Sequence, residues 1–496
     1  MPRCELETCE LTTRHSDDAR PALVLFRNDL RIADNGALAA AANLGRPVLA
    51  AFVHDEESEG VRPAGGASGW WLHHSLSALA SRLEALGARL ILRRGRMQQA
   101  VDGLIAESGA DSVFWNRRYD PGGVIADTAM KQNLRERGIG AESFDGHLLH
   151  EPSRLTTGAG SFYKVFTPFW NALAAAPEPR DPIDPPRRLN GFFGAVSSER
   201  LDDLLPLPTS PDWAGGLRAS WTPGEDGAHE RLEEFLSDGI RGYADGRDFP
   251  ARPSTSLLSP HLAHGEITPY RIFAALKDRR LDASGAGIAK FRKEIGWREF
   301  CYHLLFHNPQ LHERNFQPGF DGLSWASDTA PLRAWQRGAT GYPIVDAGMR
   351  ELWLTGTMHN RVRMIAASFL TKHLLIDWRE GERWFWDTLV DADPASNPGN
   401  WQWVAGSGAD AAPYFRIFNP VLQGEKFDGD GAYVRRFVPE IAGLPDRWLH
   451  KPWQAPGPVL ADAGVDLGGA YPRPIVDHAW ARQRALAAYG AMRAEA

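Results

Sequence analysis

A chain of 496 residues, 43% hydrophobic and 24% charged, has the composition of a soluble globular protein of roughly two to four domains. Its net charge of −7 excludes a uniformly basic nucleic-acid coat. A local basic groove stays open, because screening limits each exposed charge to about 8–10 Å.

The first twenty residues carry no apolar stretch, so residues 1–20 read as a disordered tail without a secretory signal. No long uncharged apolar run follows, which argues against a membrane span. Cys4, Cys9 and Cys301 are sparse and odd in number, with no CxxC pair. A disulfide scaffold and a thiolate zinc site are therefore not expected, and a reducing, cytoplasmic setting is.

Residues 21–150 alternate. ALVLF (22–26), PVLAAFVH (47–54), RLILR (89–93), SVFWN (112–116) and AESFD (141–145) read as short buried strands. Between them run helical periods. The clearest spans 71–86, with Leu72, Leu76, Leu79, Leu83 and Leu86 on one stripe. Such alternation predicts an α/β domain with a parallel, Rossmann-like sheet covered on both faces. The first strand is not followed by a glycine fingerprint, so the architecture does not imply dinucleotide binding there.

Residues 151–225 read as an interdomain linker. Its stretch from 176 to 226 is rich in proline (PEPRDPIDPPRR, PLPTSPDW) and suggests neither strand nor helix. From 226 to 496 the segments HERLEEFLSDGI, TPYRIFAALKDRR, GIAKFRKEIGWREFCYHLLF, VDAGMRELWLTG, RVRMIAASFLTKHLL and ERWFWDTLV all carry helical period. This half should be all-helical. No internal repeat is visible, and Cys301, within FCYHLL, reads as a small core residue.

Several motifs have both a plain and a chemical reading. GSGADA (406–411) fits a GxGxx[GA] pattern, but no strand precedes it, and it reads as chance. In STSLLSPH (254–261), Ser259 followed by Pro260 reads as an N-cap and first helical residue; the start is either a simple cap or an anion site. DADPASNPGNWQW (391–403) fails as a calcium loop, since Ala395 and Gln402 stand where ligands are needed. A cap-rich helix start leaves Trp401 and Trp403 unexplained. Asn360 and Met364 share a helix face, and Glu294 lies three residues before Trp297 and four before Arg298. With 18 tryptophans, the chain has either a large packed core or aromatic surfaces for flat ligands.

Together these segments resemble the photolyase/cryptochrome family over nearly the whole chain, from VLFRNDLRIADN (24–35) to YPRPIVDH (471–478). RDFPARPSTSLLSPHLAHGEIT, EIGWREF, TGYPIVDAGMREL, MHNRVRM, DWREGER, DADPASNPGNWQW and DAAPYFRIFNP carry the match. ELWLTG, FWDTLVDAD and GAYVRRFVPE look most like plant cryptochromes and the plant-cryptochrome-like bacterial photolyases of class III. The resemblance implies an α/β domain, a linker and a helical domain holding FAD, reduced in the active form. It implies FAD diphosphate at Thr255, Ser256, Leu257, Leu258 and Ser259, with Tyr243, Phe291, Glu294, Arg298 and Ala392 also at the cofactor. Asp391 and Asp393 would meet the flavin and its hydroxylated chain, Arg363 would pair with Asp391, and Asn397 would face flavin N5 with its amide oxygen or its NH₂.

The same resemblance separates repair from signalling. Asn360, Met364, Asn397, Trp297 and Trp403 match cyclobutane-dimer photolyases, whereas plant cryptochromes carry aspartate at 360 and 397 and leucine and tyrosine at the two tryptophan positions. The implied activity is light-driven repair of pyrimidine dimers in DNA by a carbon–carbon lyase that works as a monomer. Glu294, Asn360, Asn397 and Met364 would be catalytic. Arg247, Glu294, Trp297, Arg298, Asn360, Arg361, Trp403, Arg416 and Gln423 would bind DNA. Trp325, Trp378 and Trp401 match the tryptophan chain that carries electrons to the flavin. The class I folate contacts do not carry over, because Gly122, Gly123, Leu311 and His312 replace them; a methenyltetrahydrofolate antenna bound differently is expected. The alternatives are a blue-light photoreceptor without repair and a DNA-binding flavoprotein without activity.

Overall fold

The computed structural model describes residues 20–278, 285–414 and 416–495, so Cys4, Cys9 and nearly all of the expected disordered tail lie outside the described residues. Five strands form one parallel sheet: β1 (Ala22–Phe26), β2 (Val48–His54), β3 (Leu90–Arg94), β4 (Ser112–Asn116) and β5 (Gly140–Phe144), ordered β3-β2-β1-β4-β5. All five sequence-predicted strands are present within one residue of their expected ends. The cause is burial on both faces. Alternate residues of β1 enter opposite cores, Ala22, Val24 and Phe26 on one side and Leu23 and Leu25 on the other. A strand so placed must be apolar throughout, which is why it reads as an unbroken run. The leucine stripe belongs to the helix Gly66–Leu86, where Leu76, Leu79 and Leu83 are fully buried.

The strand order reverses beside β1, and open α/β sheets bind ligands at such a switch point. Here the chain's own polar groups line it. Arg27 makes two 3.1 Å bonds to Asp127, and the Asn116 amide donates to Asp29 at 2.6 Å and to Asn35 at 2.8 Å.

The linker is not wholly irregular. Residues 166–175 form a helix against the long helix Gly285–His307, and Leu201–Leu204 and Gly215–Ser220 are short helices inside the proline-rich stretch. The expectation of no helix in 176–226 is therefore corrected. Elements of four and six residues are too short to display a 3.6-residue period. Beyond residue 225 the described residues form helices and no named strand.

The two halves are locked by buried polar contacts. The Arg31 guanidinium, steadied within its own half by the Asp34 carbonyl at 2.9 Å, donates across to the Gly265 carbonyl at 2.8 Å. Glu225 accepts from the backbone N–H groups of Ile32 and Ala33, and Glu299 from that of Leu149. Burial pushes the Glu299 carboxyl up to about 7. Gly265 has φ +67, and a Cβ there would lie 1.9 Å from the Asn28 carbonyl oxygen, so only glycine lets the halves approach this closely.

Candidate FAD and DNA site

The helical half supplies the site from four directions: the 254–263 loop and turn, the 285–307 helix, the helix Asn360–Ser368, and the segment leading into the helix Ser396–Ala405. In the first, Leu257 holds φ +53, a left-handed backbone that costs a branched residue on the order of 1 kcal/mol or more. Thr255 and Ser256 flank it half-buried. The helix start differs from expectation. Leu258, not Ser259, is the cap residue and makes no side-chain cap bond. The Ser259 hydroxyl instead donates to Asp391 at 2.7 Å, a partner 132 residues away.

Asp391 is the hub of this corner. Arg363 donates to both of its oxygens, at 3.1 and 2.9 Å, as expected for the pair. Asp393 is engaged differently. Its Oδ1 accepts from the N–H groups of Ala395 and Ser396, closing the turn into the next helix, and its Oδ2 accepts from the Tyr302 hydroxyl at 2.8 Å. Burial pushes the Tyr302 phenol well above its ordinary value. Tyr243 and Phe291 meet edge-to-face at 5.4 Å.

Asn397 is fixed more tightly than its sequence suggests. Its Nδ2 donates to the Glu382 carbonyl oxygen at 3.0 Å and to Glu382 Oε1 at 2.8 Å. Both partners are acceptors, so the amide must turn its nitrogen to them. The oxygen Oδ1 is left as the acceptor available to a ligand. Glu382 in turn receives two bonds from Arg62 of the α/β half, at 2.7 and 2.9 Å.

The expected lesion and DNA residues divide. Trp297 is half-buried and lies face to face with Phe166 of the linker, with centroids 3.6 Å apart and planes at 5°. Met364, Ala392 and Trp403 sit partly buried on the edge of the main helical core. Asn360 is exposed at the first position of its helix, which is capped by His359. Burial pushes the His359 imidazole down to about 4. Glu294 pairs with Arg247 and, at 3.2 Å, with Lys290. Arg361 bonds Asp248 at 2.8 Å, and Asp248 also lies 3.9 Å from Arg247. Two of the arginines expected at phosphates are thus held by carboxylates of the chain itself. Arg416 is exposed and makes no ion pair among the described residues, and Gln423 is half-buried. Arg298 turns to the α/β half, donating to the His147 carbonyl at 2.9 Å and meeting its imidazole nitrogen at 2.8 Å.

Trp378 and Trp401 share the main core, and Trp325 packs against it. The Trp378 indole donates to Asn315 at 2.9 Å. Trp401 has its ring neighbours in Phe385 at 4.9 Å and Trp335 at 6.1 Å, and its buried indole nitrogen has no hydrogen-bond partner among the described residues. Cys301 is buried as expected, its thiol pushed up to about 12 by burial.

Reading the sequence missed Arg62, Phe166, Asp248, Tyr302 and Glu382. Glu382 lies inside the DWREGER motif and Asp248 directly follows Arg247, so a signal existed for those two. Nothing local marks Arg62 or Phe166. Among the described residues no three His, Cys, Asp or Glu side chains gather as metal ligands, and no helix is long and apolar enough to cross a membrane.

A parallel α/β domain is thus joined to a helical domain in which carboxylate, amide and hydroxyl groups gather around one corner. Residues 22–187 match the family described as DNA photolyase, and residues 291–491 match the FAD binding domain of DNA photolyase. The chain belongs to the photolyase/cryptochrome family, and its helical half is an FAD-binding domain. It is 59% identical to the deoxyribodipyrimidine photo-lyase of Agrobacterium fabrum over 95% of this chain and 98% of that one. Cryptochrome-1 of Arabidopsis thaliana is 39% identical over 93% of this chain and 69% of that one. The crystal structure of a class III photolyase from Agrobacterium tumefaciens superposes with a TM-score of 0.94 at 57% identity, covering 97% of this chain and 99% of that one.

Proposed function

We infer that this protein is a deoxyribodipyrimidine photolyase, which uses light and reduced FAD to split cyclobutane pyrimidine dimers in DNA. The observation that carries the reading is Asn397. A neutral amide, oriented by Glu382 to offer its oxygen, suits a flavin that bears hydrogen at N5, and adds no charge beside it. The donor set fits the cofactor: hydroxyls at Thr255 and Ser256 beside the left-handed Leu257 for a diphosphate, and the Asp391 cluster with Arg363 and Ser259 for the flavin side.

When bound and reduced, FAD supplies the electron that no side chain can give. The chain's residues do the rest. Dimers stack and pair poorly, so turning one out of the helix costs less than turning out normal bases. Trp297 and Trp403 offer apolar faces to the displaced bases, at about 1–3 kcal/mol per base contact. Phe166 backs the Trp297 ring and holds its orientation. Glu294 and Asn360 address the pyrimidine edges, and Met364 packs beside them. Arg416, with Arg247, Arg361 and Gln423, serves the phosphate backbone. Trp401, Trp378 and Trp325 carry electrons between the surface and the cofactor.

We also propose a methenyltetrahydrofolate antenna, bound without the class I contacts. A Cβ on Gly122 would lie 2.3 Å from the Gly60 carbonyl oxygen, so backbone packs where a polar contact residue would stand. Chromophore released from the purified protein identifies it. We propose a cytoplasmic monomer, which size-exclusion chromatography tests. For the main reading, reduced protein is incubated with a dimer-containing oligonucleotide in blue light and in darkness. Restored thymines in the light arm alone are expected. No restoration in light with FAD bound refutes repair and leaves the photoreceptor reading.

A further inference from the structure

Arg62 lies in the loop between β2 and the 66–86 helix, far in sequence from every site residue. Its guanidinium grips Glu382 with two parallel bonds, Nη1 to Oε1 at 2.7 Å and Nη2 to Oε2 at 2.9 Å. The Glu382 side chain is 1% exposed, while that of Arg62 is 24% exposed. The guanidinium also lies over the Trp386 ring at 3.9 Å, and the Trp386 indole donates to the neighbouring Pro63 carbonyl at 2.8 Å. Glu382 Oε1 is the same atom that accepts from Asn397 Nδ2. One line of contacts therefore runs from the α/β half through a buried carboxylate to the amide at the cofactor corner.

We propose that Arg62 is a positioning residue that sets the reduction potential of the bound flavin, by fixing Glu382 and through it the orientation of Asn397. The inference rests on the reading that Asn397 faces flavin N5. With Arg62 in place, Glu382 Oε1 is held against Asn397 Nδ2, which also bonds the Glu382 carbonyl, so the amide turns its oxygen to the ligand. A reduced flavin, bearing hydrogen at N5, would find that oxygen; an oxidised one has no hydrogen there to give. Without Arg62 the Glu382 side chain loses both of its guanidinium bonds and Oε1 can move off the amide, leaving the Glu382 carbonyl at 3.0 Å as the anchor. The amide oxygen is then aimed less firmly, and a bond that only the reduced form can make is weakened. The preference thus moves toward the oxidised form.

A plain interdomain staple makes the opposite forecast: weaker stability with an unchanged potential. The test is spectroelectrochemical titration of bound FAD in the full-length protein, for wild type, Arg62→Ala, Arg62→Lys and Glu382→Gln. Losing one net hydrogen bond to the reduced form lowers the reduced-to-oxidised ratio at a fixed potential by roughly three- to tenfold in Arg62→Ala. Arg62→Lys keeps the charge and should recover most of the shift. Glu382→Gln removes the charge from within the pair while leaving the domain surface intact, and must shift the same way. An unchanged potential in Arg62→Ala and Glu382→Gln, with FAD bound, overturns the proposal. Loss of FAD from both also overturns it, since the pair would then be part of cofactor retention. Failure of wild type to repair dimers would refute the function and leave these potentials to be read on their own.

Discussion

Arg363→Ala isolates the corner on which flavin binding is proposed to turn. Asp391 is 4% exposed and takes two of its three side-chain bonds from Arg363, at 3.1 and 2.9 Å, and the third from Ser259 at 2.7 Å. Removing one partner of a buried pair costs about 3–5 kcal/mol. Arg363 is itself 25% exposed, so water can enter the space it leaves, and the serine bond survives. Both effects bring the cost below that range, to about 2–3 kcal/mol. If Asp391 holds the flavin, that loss appears in cofactor affinity as a roughly 30- to 150-fold rise in Kd. Fluorescence titration of the apoprotein with FAD measures it. Arg363→Lys should recover part of the affinity, because an ammonium lacks the forked geometry but keeps the charge. An Arg363→Ala protein that binds FAD within about threefold of wild type would refute the assignment of Asp391 to the cofactor.

Gly381→Ala places a Cβ 2.1 Å from Trp401 Cη2 and 2.6 Å from Leu370 Cδ2, so the indole must move at a cost of about 1–3 kcal/mol. A lower melting temperature and slower light-driven flavin reduction are expected; normal photoreduction with a displaced Trp401 would contradict its place in the electron chain. Trp297→Ala and Trp403→Ala should each weaken binding to dimer-containing DNA by about 1–3 kcal/mol, read by fluorescence anisotropy, with FAD retained and undamaged DNA unaffected. Equal losses on both DNAs would point to backbone contacts instead. Burial pushes the Lys372 amine down to about 7, and among the described residues no carboxylate bonds it, its hydrogen bond going to the Arg416 carbonyl at 3.3 Å. The unfolded chain therefore binds more protons above pH 7, and stability should rise with pH from about 7 to 9.5 by up to about 1 kcal/mol per unit. Lys372→Met should flatten that slope in urea titrations; an unchanged slope would mean that the amine stays charged when folded.

The parts of this molecule legible in the sequence are those whose cause is local or periodic. Both faces of the sheet are covered, and the strands are accordingly apolar from end to end. The leucine stripe at 76, 79 and 83 reports one buried helix face. Short helices at 201–204 and 215–220 escape notice because a single turn has no period to detect. Ser259 shows the limit of a local rule. A Ser-Pro pair ordinarily marks the cap, but here the hydroxyl bonds Asp391 and the helix begins without it. The resemblance to a known family reached further, naming Asp391, Arg363 and Asn397 in one neighbourhood. It could not say that Asp393 would be taken up by Tyr302 and two backbone N–H groups. Nor could it say that Arg247 and Arg361 would be held by Glu294 and Asp248. Those are choices among partners, made by three-dimensional competition.

Glu382 gives the asparagine at 397 a physical reason. The residue there must accommodate a carboxylate oxygen at 2.8 Å and a carbonyl oxygen at 3.0 Å, both on Glu382. An amide meets this with its NH₂ and remains neutral. An aspartate, which the resemblance assigns to plant cryptochromes, would set a second carboxylate against the first, and like charges this close force one of the two to take up a proton. A proton held beside N5 is an asset to a protein that must protonate its flavin after light. It is a hindrance to one that must keep an electron ready for DNA. Asn397→Asp in this chain therefore tests more than one contact. With Arg62 still occupying both oxygens of Glu382, the shared proton should reside on the introduced carboxyl, where it can reach the flavin. Light-driven reduction should then pass to a protonated flavin faster while dimer repair falls. Undiminished repair in Asn397→Asp would mean that the charge at 397, and with it the Arg62–Glu382 line, does not govern the cofactor.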